Sequence, residues 1–138
     1  MRTLHRKMRS DRGVVAVEFA LILPVLLLIV VGTIEFGRVY SQIQVYNGAA
    51  REGARCAAVM SSGFAGCDDL GDVQTRINDA SDPYADPPAA TITPTTGCTI
   101  DTIGQDVSVS WDQPLHLSIP FWGDIDFTSR IEATFRCE

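Results

Sequence analysis

The sequence predicts an α+β fold: a long N-terminal transmembrane and stalk helix, then a short helix and a small three-stranded antiparallel sheet. Three observations predict it. Val14 to Ile34 is an apolar run of 21 residues with one charge, Glu18. Beyond it, apolar and small residues recur every three or four positions as far as Val59. The last third of the chain instead alternates apolar and polar residues with the period of two that marks strands.

The apolar run comes first in the argument because it restricts everything else. As a helix rising about 1.5 Å per residue it covers about 30 Å, the hydrocarbon thickness of a bilayer. A buried soluble helix of that length needs a larger protein around it than 138 residues supply. Charge agrees with a membrane span. Residues 1–13 hold five of the eleven basic residues (Arg2, Arg6, Lys7, Arg9, Arg12) and one acid, Asp11. Residues 14–138 hold six basic and sixteen acidic residues, a formal charge of −10 within a total of −6. A basic flank before an apolar run orients a span with its N-terminus in the cytoplasm. The acidic remainder argues against nucleic acid as a partner.

The way this segment is processed follows from its flanks. An ordinary secretory signal has a short core and a small-x-small cleavage site, whereas Ile34-Glu35-Phe36-Gly37-Arg38 follows a long core here. A lipoprotein needs a cysteine directly after the core, and the first is Cys56. Cleavage ahead of the run, between Gly13 and Val14, is the third route. It leaves Glu18 as the fifth residue of the mature chain. A carboxylate inside an apolar segment costs about 2.5–3.5 kcal/mol at the bilayer centre, so it calls for a role. The alternative is a plain signal anchor with Glu18 near the interface.

After the span the stalk continues through Phe36, Val39, Ile43, Tyr46, Ala50, Ala54 and Ala57 on one face. Pro24 removes one backbone hydrogen bond and predicts a kink. Ala50, Ala54 and Ala58, with Ala49, Gly53 and Ala57 beside them, form rows of small residues that permit close approach of another surface. That surface is a neighbouring stalk or the chain's own small domain. Ser61-Ser62-Gly63 and Gly66 end the stalk. A second helix is expected over about Asp69–Ala80, with Asp68 or Asp69 as cap and Leu70, Val73, Ile77 and Ala80 on one face. A proline-containing loop, Ser81–Pro88, follows. Strands are expected at Thr91–Thr93, extended by Cys98-Thr99-Ile100, then around Val107–Trp111, then from Phe127 to Cys137. Leu115–Asp126 reads as a loop whose centre, Pro120-Phe121-Trp122-Gly123, is a lid over the core or a patch for a partner. The resulting organisation is a basic cytoplasmic leader (1–13), a transmembrane and stalk helix (14–59) and a small extracytoplasmic domain (60–138).

Four cysteines, Cys56, Cys67, Cys98 and Cys137, all lie beyond the span. No CxxC pair occurs and neither His5 nor His116 neighbours one of them, which argues against zinc. An even number in a small exported domain reads as two disulfides. Cys56 and Cys67 flank the end of the stalk. In a meander the first and third strands lie about 9–10 Å apart, wider than the roughly 4.4–6.8 Å between bridged α-carbons. Cys98 therefore reaches Cys137 only if its segment bends over, which Pro94 and Gly97 allow. The expected pairs are Cys56–Cys67 and Cys98–Cys137.

Motifs of catalysis are missing from the sequence: no GxSxG, P-loop, HExxH or dinucleotide fingerprint occurs. Asp68, Asp69 and Asp72 lack the spacing of a calcium loop and suit a helix N-terminus. The chain reads as a non-enzyme with no cofactor, metal or small-molecule substrate.

Arg12-Gly13, Ala16-Val17-Glu18-Phe19-Ala20-Leu21, Leu23-Pro24, Ile34-Glu35-Phe36-Gly37 and Asn47-Gly48-Ala49-Ala50-Arg51-Glu52-Gly53-Ala54-Arg55 occur in that order. Together they resemble the TadE-like proteins, minor pilins or pseudopilins of the tight-adherence (Tad) pilus. The resemblance is close over residues 12–59 and looser beyond. It implies maturation by a prepilin peptidase at Gly13-Val14, a place in the inner membrane or the pilus, and other Tad pilus subunits as partners. It also implies that Glu18 pairs with the free amine that Val14 acquires on a neighbouring subunit. Phe19 stands where major pilins of this system usually carry tyrosine, which points to a minor subunit. The competing expectation is a membrane-anchored binding module that never enters a filament.

Overall fold

The structure, a computed structural model, describes residues 7–119 and 123–138, with side chains from residue 13 onward. Pro120, Phe121 and Trp122, the centre of the expected loop, lie outside the described residues, as do the side chains of the basic leader.

One helix, α1 (Lys7–Ala58), spans the leader end, the apolar run and the stalk, and includes Pro24. It starts ahead of the expected Val14, because only Gly13 between Lys7 and Val14 is a poor helix former. Its two halves have different surroundings. Every residue from Gly13 to Val30 is exposed. Val31, Gly32 and Glu35 are the first to be partly covered, and Val39 is buried on the same face. A 3-10 turn at Met60–Ser62 and Gly63, in the left-handed conformation at φ 68°, end the stalk.

The rows of small residues lie against the chain's own head. Ala49, Ala50, Ala54 and Ala57 have no exposed surface and Ala58 only 3%. Helix α2 (Leu70–Ala80) lies here with Val73 and Ile77 fully buried. Gly53 is the closest point. A Cβ there would come within 2.7 Å of Ile77 Cδ1 and closer still to Cγ1. Asp69 caps α2 by accepting from the Asp72 amide at 2.9 Å, while the Asp72 carboxylate accepts from the Asp68 and Asp69 amides. This reciprocal box gives the acidic cluster a structural task.

Strands β1 (Thr91–Thr93), β2 (Asp106–Ile119) and β3 (Gly123–Arg136) form an antiparallel sheet in the order β1-β2-β3. The inward face of β2 carries Val107, Val109, Trp111, Gln113 and Leu115, opposite Phe135, Ala133, Ile131, Ser129 and Phe127 of β3. Two expectations are corrected. Cys98-Thr99-Ile100 is not strand, since Ile100–Thr102 forms a 3-10 turn held by Thr99 and Thr102. Leu115–Ile119 and Gly123–Asp126 are strand rather than loop. The alternation of Leu115, Leu117 and Ile119 with His116 and Ser118 carries β2 on, and Ile125 and Phe127 return it in β3. Pro114 is tolerated because β1 pairs with β2 only at Ser108–Ser110, leaving Pro114 on a free edge.

The hairpin lies along α1, with β2 antiparallel to the helix. At the far end, the Glu138 amide donates to Ala58 O at 3.1 Å and Ser61 Oγ to Glu138 O at 2.6 Å. At the other, Arg38 Nη2 donates to His116 O at 3.2 Å. The core sits between these ends. Its polar groups are satisfied: Trp111 Nε1 donates to Gln113 Oε1 at 3.0 Å, and Ser81 Oγ to Ile77 O at 2.7 Å. Two disulfides, Cys56–Cys67 and Cys98–Cys137, close the far end, with α-carbons 5.3 and 5.6 Å apart. Gly97, at φ 65°, turns the chain after β1 and delivers Cys98 to Cys137.

Candidate functional site

Gly13, Val14, Glu18, Phe19 and Pro24 share the exposed first half of α1. Nothing lies within 4 Å of where a Cβ on Gly13 would project, and Phe19 is 63% exposed. Leu21, Ile22, Val25 and Ile29 are all exposed by more than half. Burying such side chains is worth about 1.5–3 kcal/mol each, so this surface needs an apolar environment from outside the chain. α1 is long and apolar enough to cross a membrane, and none of its apolar window is buried in the head. It fits a single-pass membrane anchor.

Glu18 stands on this bare helix with no partner from the head, since every residue around it is solvent-facing in the isolated chain. The cysteines are not part of the same site. They lie at the opposite end of the molecule, where the disulfides hold the stalk end, the segment after β1 and the last residues of β3 together.

One polar cluster was not read from the sequence. His116 Nδ1 lies 2.5 Å from Asp126 Oδ1, and its Nε2 lies 3.7 Å from Asp124 Oδ1. The hydrogen bond to Asp126 raises the His116 pKa above its usual value, and the charges of Asp126 and Asp124 add to this. Residual desolvation and Arg38 oppose the rise. His116 and Asp126 are directly cross-strand, so the pairing is visible once the hairpin register is known. Arg38 bonds Glu35 at 2.8 Å as well as His116 O. Together these groups mark where the end of the sheet meets the helix. Tyr46, two turns further along the buried face, donates to Ala85 O at 3.0 Å. Its burial, with Tyr84 and Asp86 nearby, raises its pKa. Among the described residues no group of three or more His, Cys, Asp or Glu is arranged to hold a metal ion.

Comparison with the curated proteins and with the solved structures finds no match. The family model described as TadE-like protein matches residues 13–55, which run from the glycine at the head of the apolar segment to the alanine-lined stalk, and over this stretch the chain is similar to that family.

Proposed function

We propose that the chain is a minor pilin or pseudopilin of a Tad-type pilus, matured by a prepilin peptidase between Gly13 and Val14. The observation that carries this reading is the division of α1. Its first half is bare and apolar, and its second half is covered by a disulfide-closed head. A subunit that is stored in a bilayer and then drawn into a filament needs such a helix. Lipid surrounds the bare half first, and the helices of other subunits replace it later. The TadE-like match over residues 13–55 includes this bare half and supports the reading.

In this reading the N-terminus starts in the cytoplasm, on the side of the five basic residues, and the head lies outside the inner membrane. Two disulfides suit that compartment. The small-residue rows are buried in the chain's own head, so they are not free for a neighbour, and the bare residues 14–30 of α1 take that role. There Glu18 pairs with the amine of Val14 on a neighbour. Opposite charges in a low-dielectric environment attract strongly and offset each other's desolvation, so the pair sets the axial register of the incoming subunit.

Glu18→Gln tests this directly. It removes a charge from the span, so insertion into the membrane is unimpaired. Recovery of the chain with pilus subunits, measured by crosslinking, is expected to fall sharply. Unchanged recovery contradicts the register role. It would favour an anchored binding module that stays out of the filament.

A further inference from the structure

We infer that the end of the paired strands β2 and β3 nearest the apolar run, Leu117–Ile119 with Gly123–Phe127, is a wedge that seats in the headgroup layer of the bilayer beside α1, rather than a rim held clear of the membrane. The inference rests on α1 spanning a bilayer but on nothing about pilus assembly.

The register between sheet and helix carries it. Arg38 Nη2 bonds both Glu35 and His116 O, which sets His116 beside the Glu35–Arg38 turn, just beyond the end of the apolar run at Ile34. β2 continues three residues further, to Ile119. At about 3.3 Å per residue this adds about 10 Å toward the N-terminal half of α1. The same distance along the helix, about 1.5 Å per residue, leads from Arg38 back to about Val31. An independent observation reaches the same level. Val31, Gly32 and Glu35 are the first residues of α1 to be partly covered, after an exposed stretch from Gly13 to Val30. The register therefore brings the end of β2 to about the level of the last four residues of the apolar run, 31–34, a depth of about 6 Å along the helix.

The chemistry of the hairpin end suits that depth. Beyond Leu115, the last buried residue of β2, the face toward α1 remains apolar. It carries Leu117, Ile119, Ile125 and Phe127, with Ile125 49% and Phe127 39% exposed. The outer face carries His116, Ser118, Asp124 and Asp126. His116 lies against both carboxylates and so reduces their net charge at the surface when it is protonated. The apolar face is continuous with the lipid-facing surface of α1 at Leu27, Leu28 and Ile34, all exposed. An amphipathic edge of this kind lies in the interface, its apolar side toward the acyl chains and its polar side in water.

Depth measurement on the full chain in phosphatidylcholine vesicles tests the wedge. A fluorophore is placed at Ser118→Cys near the hairpin end, at Thr134→Cys at the far end of the sheet, or at Leu21→Cys in the span. Nitroxides are carried on the lipid headgroup or mid-chain. Headgroup nitroxide should quench the label at position 118 several-fold more than that at 134, and mid-chain nitroxide should quench the label at 21. Equal, weak quenching at 118 and 134 with a quenched label at 21 overturns the wedge and leaves the span intact. An unquenched label at 21 removes the span and the wedge with it. Energy transfer between labels at 118 on different chains, without lipid quenching, would assign the face to a second copy and overturn the proposal. Ile125→Glu should reduce quenching at 118 by lifting the apolar edge, and unchanged quenching contradicts seating by that face.

Discussion

Gly53 decides how closely α2 can approach the stalk. A methyl group there meets Ile77, which is fully buried and has no room to turn away. Gly53→Ala gains helix propensity of about 1 kcal/mol against an overpacking cost of about 1–3 kcal/mol. The expected result is a net loss of stability in denaturant unfolding of the full chain in detergent. Gly53→Ala combined with Ile77→Val should recover part of the loss, because the shorter side chain makes room. Additive losses would show that the contact is not the cause. From the sequence the small-residue rows were legible as a close-contact face, but not the identity of the contacting surface. Spacing alone is the same for a neighbour's helix and for the chain's own. His116 shows the opposite problem. Its partner Asp126 lies ten residues away and becomes its neighbour only through the register of a hairpin whose length was underestimated. Its folded pKa is raised above 6.5. The His116–Asp126 pair therefore favours the folded hairpin fully below the unfolded value, and the contribution is lost as pH rises through the folded value. Asp126→Asn should bring the His116 titration, followed by NMR of the ring protons, back toward its ordinary value. An unmoved titration would assign the shift to other groups.

Among the elements, the helices were the most legible because their signals are local. Asp69 caps α2 where a cap was expected, and Gly63 stands just past the stalk. The strands were read in the right order but with the wrong extents. The alternation in Leu115–Ile119 is as regular as that in Val107–Trp111, yet Pro114 and the following Pro120-Phe121-Trp122-Gly123 look like loop. Only the free edge of β2 at Pro114 explains why the strand continues. The Cys98–Cys137 pair was legible on the condition that the Cys98 segment bends away from the sheet, and it does. That segment leaves the sheet to reach Cys137, at an α-carbon distance of 5.6 Å that the first and third strands of a flat meander do not offer. This bridge closes a sequence separation of 39 residues and the other one of 11. Each should stabilise the head by about 2–4 kcal/mol, the longer loop more. Cys98→Ser with Cys137→Ser should therefore lower the denaturant midpoint of the full chain more than Cys56→Ser with Cys67→Ser. The reverse order would show that the short bridge, by holding the stalk end against the head, outweighs the entropy of the longer loop.

For the whole molecule, the division of α1 into a bare half and a covered half organises everything else. Its bare half was visible in composition alone, since a 21-residue apolar run with a single glutamate has few homes other than a bilayer. Where the head begins to cover the helix was not visible. That boundary, at Val31, depends on how far the β2–β3 hairpin reaches, and it lies inside the apolar run rather than after it. The consequence is a molecule with no free stalk between membrane and head. In the proposed assembly the bare surface that α1 offers to other subunits is residues 14–30, and Glu18 is the one charge among them. For that segment to enter a filament, the basic residues before it must first be removed, because they would otherwise hold the N-terminus at the cytoplasmic surface. The most direct measurement is N-terminal sequencing of the chain recovered from membranes and from sheared pili. Processing before the apolar segment predicts that the recovered chain begins Val14-Val15-Ala16-Val17-Glu18, and that replacing Gly13 with a bulky residue abolishes this product. Recovery from sheared pili of a chain with residues 1–13 still attached would contradict it.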